Sequence, residues 1–300
     1  MMKVARIFIG RIPPRVGHPL AAVMGEFAYR IASKSRRAAI SNIGHVMGPT
    51  PRRKLKKAVR HVFHNVARNY YELCRAPDMT DADIDRMIDF DAAGWERIMA
   101  IHNQGRGVLM VSAHYGSFDM VTQVLARHGL PVTVLVAQIK PAWLSDFLTD
   151  LRADRGLDLI MVDEEEGPGV NLGALKQSVS LLRNGGTLGV VADRNLEQRG
   201  VTVKFFGHDT VVAAGAAKMS LRTRVPIVIG IARRLNNYRF SLTWDEPIEP
   251  QGSASNEADV RVLLQKIFDR FEYHIGQNPE QWGLLQPVWP RPEEAGEQAT

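Results

Sequence analysis

The sequence predicts an α/β protein: a central sheet, mostly parallel or mixed, with helices on both faces and basic helices at its N-terminal end. Two patterns carry this. From about residue 107, short apolar runs alternate with amphipathic segments of helical length, the signature of strand–helix–strand units. Before that, apolar residues recur only at helical spacing. The 300 residues are 45% hydrophobic and 23% charged, the composition of a folded chain with a sizeable core.

The elements follow in order. Leu20, Val23, Met24, Phe27 and Ile31 fall on one helical face, and Leu55, Val59, Val62, Phe63, Val66, Tyr70 and Leu73 on another. Thr50-Pro51 is a start signal for the second helix. Gly107–Ser112 reads as a buried strand, Val121–His128 as a helix, Pro131–Ala137 as a strand, Ala142–Arg155 as a helix and Leu157–Val162 as a strand. Ala174–Arg183 is a helix stopped by Gly185-Gly186, and Thr187–Ala192 is the next strand. Ala213–Arg222 is helical again, and Val225–Ala232 and Arg239–Trp244 are strands. The chain divides into a basic helical region (1–78), an α/β core (79–290) and a polar tail (291–300) expected to fray.

Charge separates the first region from the rest. Residues 1–78 hold sixteen Lys and Arg against three acids, Glu26, Glu72 and Asp78. The remainder holds twenty-two basic and twenty-nine acidic residues. Arg52, Arg53, Lys54, Lys56, Lys57 and Arg60 cluster at the start of the second helix. Such a cluster fits a solvated face, an anionic membrane surface or a nucleic acid. Few aromatics are interleaved with it, which counts against base stacking, and no nucleic-acid partner is expected.

Other classes are disfavoured. The single cysteine, Cys74, excludes a disulfide framework and a cysteine-built metal site, and no metal is expected. Leu20–Ala32 is too short and too charged to span a bilayer, and residues 4–10 make no signal peptide. No nucleotide-binding glycine motif and no G-x-S-x-G elbow is present. The expected location is cytosolic, with attachment to a membrane surface.

The candidate chemistry sits in Ser112-Ala-His114-Tyr-Gly-Ser-Phe-Asp119, after one predicted strand. Strand ends are the usual place for sites in α/β sheets. A gap of five residues lets the Asp119 carboxylate reach the His114 imidazole across a tight turn. The acid would fix the tautomer while the other ring nitrogen takes a proton from a substrate hydroxyl. An N-cap aspartate beside an unrelated histidine gives the same spacing. A second strand end carries Asp193-Arg194, followed by Val203-Lys-Phe205-Phe206-Gly207. An acid and an arginine there could hold a polar acceptor and its phosphate, or simply pair with one another.

The His114…Asp119 box resembles the H-x-x-x-x-[D/E] signature of the lysophospholipid acyltransferase superfamily. The surrounding segments resemble its glycolipid branch, the lipid A biosynthesis acyltransferases and the phosphatidylinositol mannoside acyltransferases. The likeness runs through Gly107–Gly129, Leu151–Gly156, Ala192–Gly215 and Asn278–Trp289, and so spans nearly the whole chain. Asp119, the Phe205-Phe206-Gly207 block and the tryptophan-bearing tail lie closer to the mannoside type.

This resemblance implies an acyltransferase-type fold and direct transfer of an acyl chain from a thioester to a hydroxyl of a membrane glycolipid. The donor would be acyl-CoA or acyl carrier protein, acting as co-substrate, with no permanently bound cofactor. The implied catalytic residues are His114 as general base, with Asp119 and Asp193 as rival orienting carboxylates. Arg152 and Arg194 would contact substrate phosphates. The implied location is the cytoplasmic face of the plasma membrane, as a peripheral protein. Two other functions fit the residues: a non-catalytic protein binding anionic surfaces or nucleic acid, and a thioesterase in which water replaces the acceptor.

Overall fold

A computed structural model describes residues 9–120, 125, 128–138, 142–153, 157–162, 168–195 and 199–289. Three long helices come first: α1 (Pro14–Ile31), α2 (Ser33–Met47) and α3 (Arg52–Arg75). Then follow α4 (Asp81–Met87), β1 (Ile88–Phe90), α5 (Ala92–Asn103) and β2 (Val108–Ser112). The middle of the chain gives β3 (Val132–Ala137), α6 (Ala142–Ala153), β4 (Asp158–Val162), α7 (Pro168–Arg183) and β5 (Thr187–Val191). A hairpin of β6 (Val201–Phe205) and β7 (His208–Val212) precedes α8 (Gly215–Thr223), β8 (Ile227–Arg234), β9 (Phe240–Trp244) and α9 (Glu257–Gln277).

Seven strands form one sheet in the order β1-β9-β8-β2-β5-β3-β4. β8, β2, β5, β3 and β4 run parallel, β9 is antiparallel to β8, and β1 is parallel to β9. The inner strands are near-continuous apolar runs because both faces are covered. Leu109, Val111, Leu188, Val190, Ile227 and Ile229 point into one core with α9 and α3. Val108, Met110, Val132 and Val228 point into the other, against Ile98 and Ile101 of α5. The sheet opens at one place. β3 and β5 pair only as far as Val134–Gly189, whereas β2–β5 pairing continues to Ser112–Val191 and β3–β4 pairing to Ala137–Val162.

Most expected elements are found, with shifted ends. α7 begins at Pro168, six residues before the expected start, and α3 begins at Arg52 with Pro51 at its N-cap. The Phe205-Phe206-Gly207 block is a hairpin turn whose two loop residues, Phe206 and Gly207, both take positive φ, matching the twist of the strands. Most of Val121–His128, Arg155, the acidic run 163–167 and the tail 291–300 lie outside the described residues.

The first helix is inverted relative to an ordinary amphipathic helix. α1 buries Gly17, His18, Ala21 and Gly25 against α3 and leaves Val16, Leu20, Val23, Met24, Phe27 and Ile31 at least half exposed. The small residues allow a close approach: a Cβ on Gly25 would lie 2.5 Å from the Phe63 carbonyl oxygen. Large apolar side chains therefore face outward as a continuous stripe.

A buried polar knot ties α1 and α3 to the turn after β2. Glu72 of α3 accepts a hydrogen bond from the Ser117 hydroxyl (2.7 Å) and is paired with both terminal nitrogens of Arg234, one at 3.0 Å. His18 of α1 stands 3.6 Å from the same carboxylate and stacks on Tyr238. Burial pushes the His18 imidazole down to about 4, so it is held neutral. Gly116, beside Ser117, has φ +57°, and a Cβ there would fall 1.8 Å from the Ala232 carbonyl oxygen. Its N–H donates to the Gln281 carbonyl (2.9 Å).

Two predictions follow from this packing. Gly116→Ala must move the backbone of β8 as well as adopt a disfavoured φ, and should cost ~2 kcal/mol or more. Chemical denaturation checks it, and a shift under ~0.5 kcal/mol would refute the close approach. For His18, the folded value of about 4 lies below the unfolded 6.5, so the unfolded chain binds more protons between them. Stability is then complete above pH 6.5 and falls as pH drops toward 4. His18→Gln should remove that part of the slope, so the stability gap between wild type and variant narrows on acidification. A gap independent of pH would show that His18 does not titrate in this way.

Candidate functional site

The site is assembled by strand register. Ser112 of β2 is paired with Val191 of β5, so His114 and Asp193, each two residues further on, leave the sheet side by side. The chain leaving β2 crosses to β3 on one side, and the chain leaving β5 runs toward β8 on the other. The two connections cover opposite faces of the sheet, and the carboxyl ends of the strands between them are where α/β proteins bind ligands.

There the His114 ring nitrogen Nδ1 lies 2.6 Å from Asp193 Oδ1. The backbone N–H of His114 and the indole N–H of Trp282 both donate to Asp193 Oδ2, at 2.9 and 2.8 Å. The Asp193 side chain has no exposed surface. Burial alone would raise its pKa. The adjacent His114 ring and the donated hydrogen bonds outweigh burial and hold the carboxyl below its ordinary value. The carboxylate thus fixes Nδ1 as its partner and leaves Nε2 for other chemistry. His114 is pinned further by the Gly283 N–H, which donates to its carbonyl (2.7 Å), and by Phe118 edge-on to its ring.

Asp119 has a different partner. Arg152 of α6 donates to its Oδ1 through Nε (3.0 Å) and Nη2 (2.8 Å). The five-residue spacing therefore brings Asp119 to an arginine, and the carboxylate bonded to His114 comes from the other strand end. Sequence spacing could not reveal this, because the His114–Asp193 pair depends on β2 and β5 being neighbours. Of the two serines near the box, Ser112 donates to the Gly230 carbonyl (2.8 Å) and Ser117 to Glu72. Both hydroxyls are engaged in structure.

His114, Asp119, Arg152 and Arg194 border a cavity of about 450 Å³. Much of its wall is apolar, with Met110, Leu125, Val134, Leu148 and Trp244. Val66, Asn69 and Tyr70 of α3 also line it, so this N-terminal helix completes the cavity. Trp282, the third partner of Asp193, was visible in the sequence only as part of a matching segment. Nothing in its spacing announced a role. Among the described residues, no group of three or more His, Cys, Asp or Glu is placed to hold a metal ion.

Residues 3–291 match the family described as bacterial lipid A biosynthesis acyltransferase. The chain is 27% identical over 250 residues to a phosphatidylinositol mannoside acyltransferase of Mycobacterium tuberculosis (strain CDC 1551 / Oshkosh), covering 83% of this chain and 75% of that protein. It is 25% identical over 248 residues to the protein of the same name from Mycolicibacterium smegmatis, covering 83% and 77%. With a family match over nearly its whole length, the chain belongs to the bacterial lipid A biosynthesis acyltransferase family and is an acyltransferase of glycolipid biosynthesis.

Proposed function

We propose that the protein transfers a fatty acyl chain from a thioester, acyl-CoA or acyl carrier protein, to a hydroxyl of a mannoside-type membrane glycolipid. The observation that carries this reading is the His114–Asp193 pair at the mouth of an apolar cavity. The cavity holds the acyl chain and presents the thioester carbonyl to that pair. His114 Nε2 takes the proton of the acceptor hydroxyl as its oxygen attacks that carbonyl. The tetrahedral intermediate collapses, the C–S bond breaks, and the imidazolium returns the proton to the departing thiolate. Asp193 stays ionised throughout, orienting the ring and stabilising its charged form. The names of the two mycobacterial relatives support the mannoside acceptor.

Asp119 acts through Arg152 in this scheme. The carboxylate holds the guanidinium at the cavity edge, where Arg152 and Arg194 meet phosphate of donor or acceptor. The acceptor lipid is reached by peripheral attachment to the cytoplasmic membrane face. Among the described residues no helix is long and apolar enough to cross a membrane. The outward stripe of α1 is suited to lie in the interface. Beside it, Arg52, Arg53, Lys56, Lys57 and Arg60 of α3 line a groove of about 770 Å³ suited to anionic headgroups.

The catalytic assignment predicts that His114→Ala folds but loses at least ~10² in turnover. Asp193→Asn should lower kcat with little change in KM, while Asp119→Asn should chiefly raise KM. Steady-state kinetics with both substrates varied decide this, and a kcat collapse confined to Asp119→Asn would exchange the two roles. For attachment, replacing Val23, Met24 and Phe27 with Ser should weaken binding to neutral and anionic vesicles alike. Neutralising Arg52, Arg53, Lys54, Lys56 and Lys57 should weaken only anionic binding, by roughly 1 kcal/mol per charge at low salt. Sedimentation with vesicles that leaves both variants bound like wild type would remove α1 and α3 from the interface.

A further inference from the structure

The floor of the cavity is set by one row of the sheet. The cavity reaches Met110 on β2, Gly189 on β5 and Val134 on β3. It does not reach the residues two positions earlier on the same strands, Val108, Thr187 and Val132. Met110, Gly189 and Val134 are register partners, and Val134–Gly189 is the last pair before β3 and β5 part. From this row to His114 is four residues along β2, about 13 Å at ~3.3 Å per residue.

Side-chain alternation fixes what residue 189 could present. Leu188 and Val190 point into the core that holds Leu109 and Val111. Residue 189 therefore points to the opposite face, where Met110 and Val134 lie. Gly189 contributes no side chain, so β5 itself puts nothing on the floor between its two neighbours. Glycine inside a buried parallel strand weakens packing and marks a place where something else approaches the backbone closely.

We infer that Gly189 sets the length of acyl chain the enzyme accepts: the bare position lets the chain end pass down between Met110 and Val134. This rests on the reading of the cavity as the acyl-chain site. A methyl at 189 raises the floor by one carbon, and an isopropyl group fills the gap. In an apolar pocket one methylene is worth 10- to 200-fold in selectivity, so the effect is large enough to measure.

The test uses a ladder of saturated acyl thioesters of pantetheine, the arm shared by coenzyme A and acyl carrier protein. Wild type, Gly189→Ala and Gly189→Val are compared, with thermal melts confirming that each is folded. The alanine variant guards against failure of the bulkier one. The expected result is a move of the preferred chain toward shorter donors. The kcat/KM ratio of the longest wild-type donor to a shorter one should fall by at least ~10-fold in Gly189→Val and by less in Gly189→Ala. In parallel, a long-chain thioester carrying a diazirine at its chain end should label Met110 or Val134 in the wild type. Labelling there with an unmoved chain-length profile in folded variants overturns the role of Gly189 alone. Labelling outside the cavity overturns the acyl-chain reading together with it.

Discussion

Burial of the Asp193 carboxylate is the constraint on which the rest of the site depends. Taking an ion out of water costs several kcal/mol even after relaxation, and the cost is met only when its oxygens are bonded and a counter-group lies beside it. Here the donors are the His114 ring, the His114 backbone N–H and the Trp282 indole. They come from two distant parts of the chain, so both must be held in place. The first two need β2 and β5 adjacent and in register. The third needs the segment after α9 to pass beneath the site, which it does through Gln281 on Gly116 and Gly283 on His114. The C-terminal tryptophan segment is thereby a structural part of the His114–Asp193 pair.

The same logic extends to the N-terminal helices through Glu72. This buried carboxylate is bonded by Arg234 of β8 and Ser117 of the turn after β2, and His18 of α1 abuts it. α3 thus has three duties. One face lines the cavity, another carries the basic groove, and a third receives the small residues of α1. Because α1 spends its small residues on that contact, its large apolar residues turn away from the described core. A contiguous exposed apolar stripe marks an interaction surface.

Legibility in the sequence divides along physical lines. The alternation of buried strands and helices was readable because parallel strands covered on both faces are short, nearly pure apolar runs, as Val108–Ser112 and Thr187–Val191 are. The strand-end positions of His114 and Asp193 were readable for the same reason. Their partnership was open, because local spacing favours Asp119 while the family resemblance offers Asp193, and only strand order brings Asp193 to the ring. The inversion of α1 was hidden as well: helical periodicity in Leu20–Ile31 marks an apolar face without saying whether protein or lipid covers it. The Glu72 knot joins residues 18, 72, 117 and 234, and such separations leave no trace in local pattern.

Space for an acyl chain also has a structural origin. A parallel sheet packed on both faces at interior density has no void for a long apolar ligand. Room must come from separating layers or from parting two strands. This fold parts two strands, since β3 stays with β4 and β5 stays with β2 beyond Val134–Gly189. The resulting slot is flanked by consecutive residues, 134–137 on one side and 189–192 on the other, so the cavity runs between the strands and not merely over them. It widens toward the carboxyl ends of the strands, the same end where register places His114 and Asp193. On the proposed function, an acyl chain seated in the slot would have its carbonyl brought to His114 by the geometry that made the slot. The separation of β3 from β5 and the adjacency of β5 to β2 are two halves of one arrangement: β5 supplies an edge of the cavity, and the chain leaving it supplies the carboxylate bonded to His114.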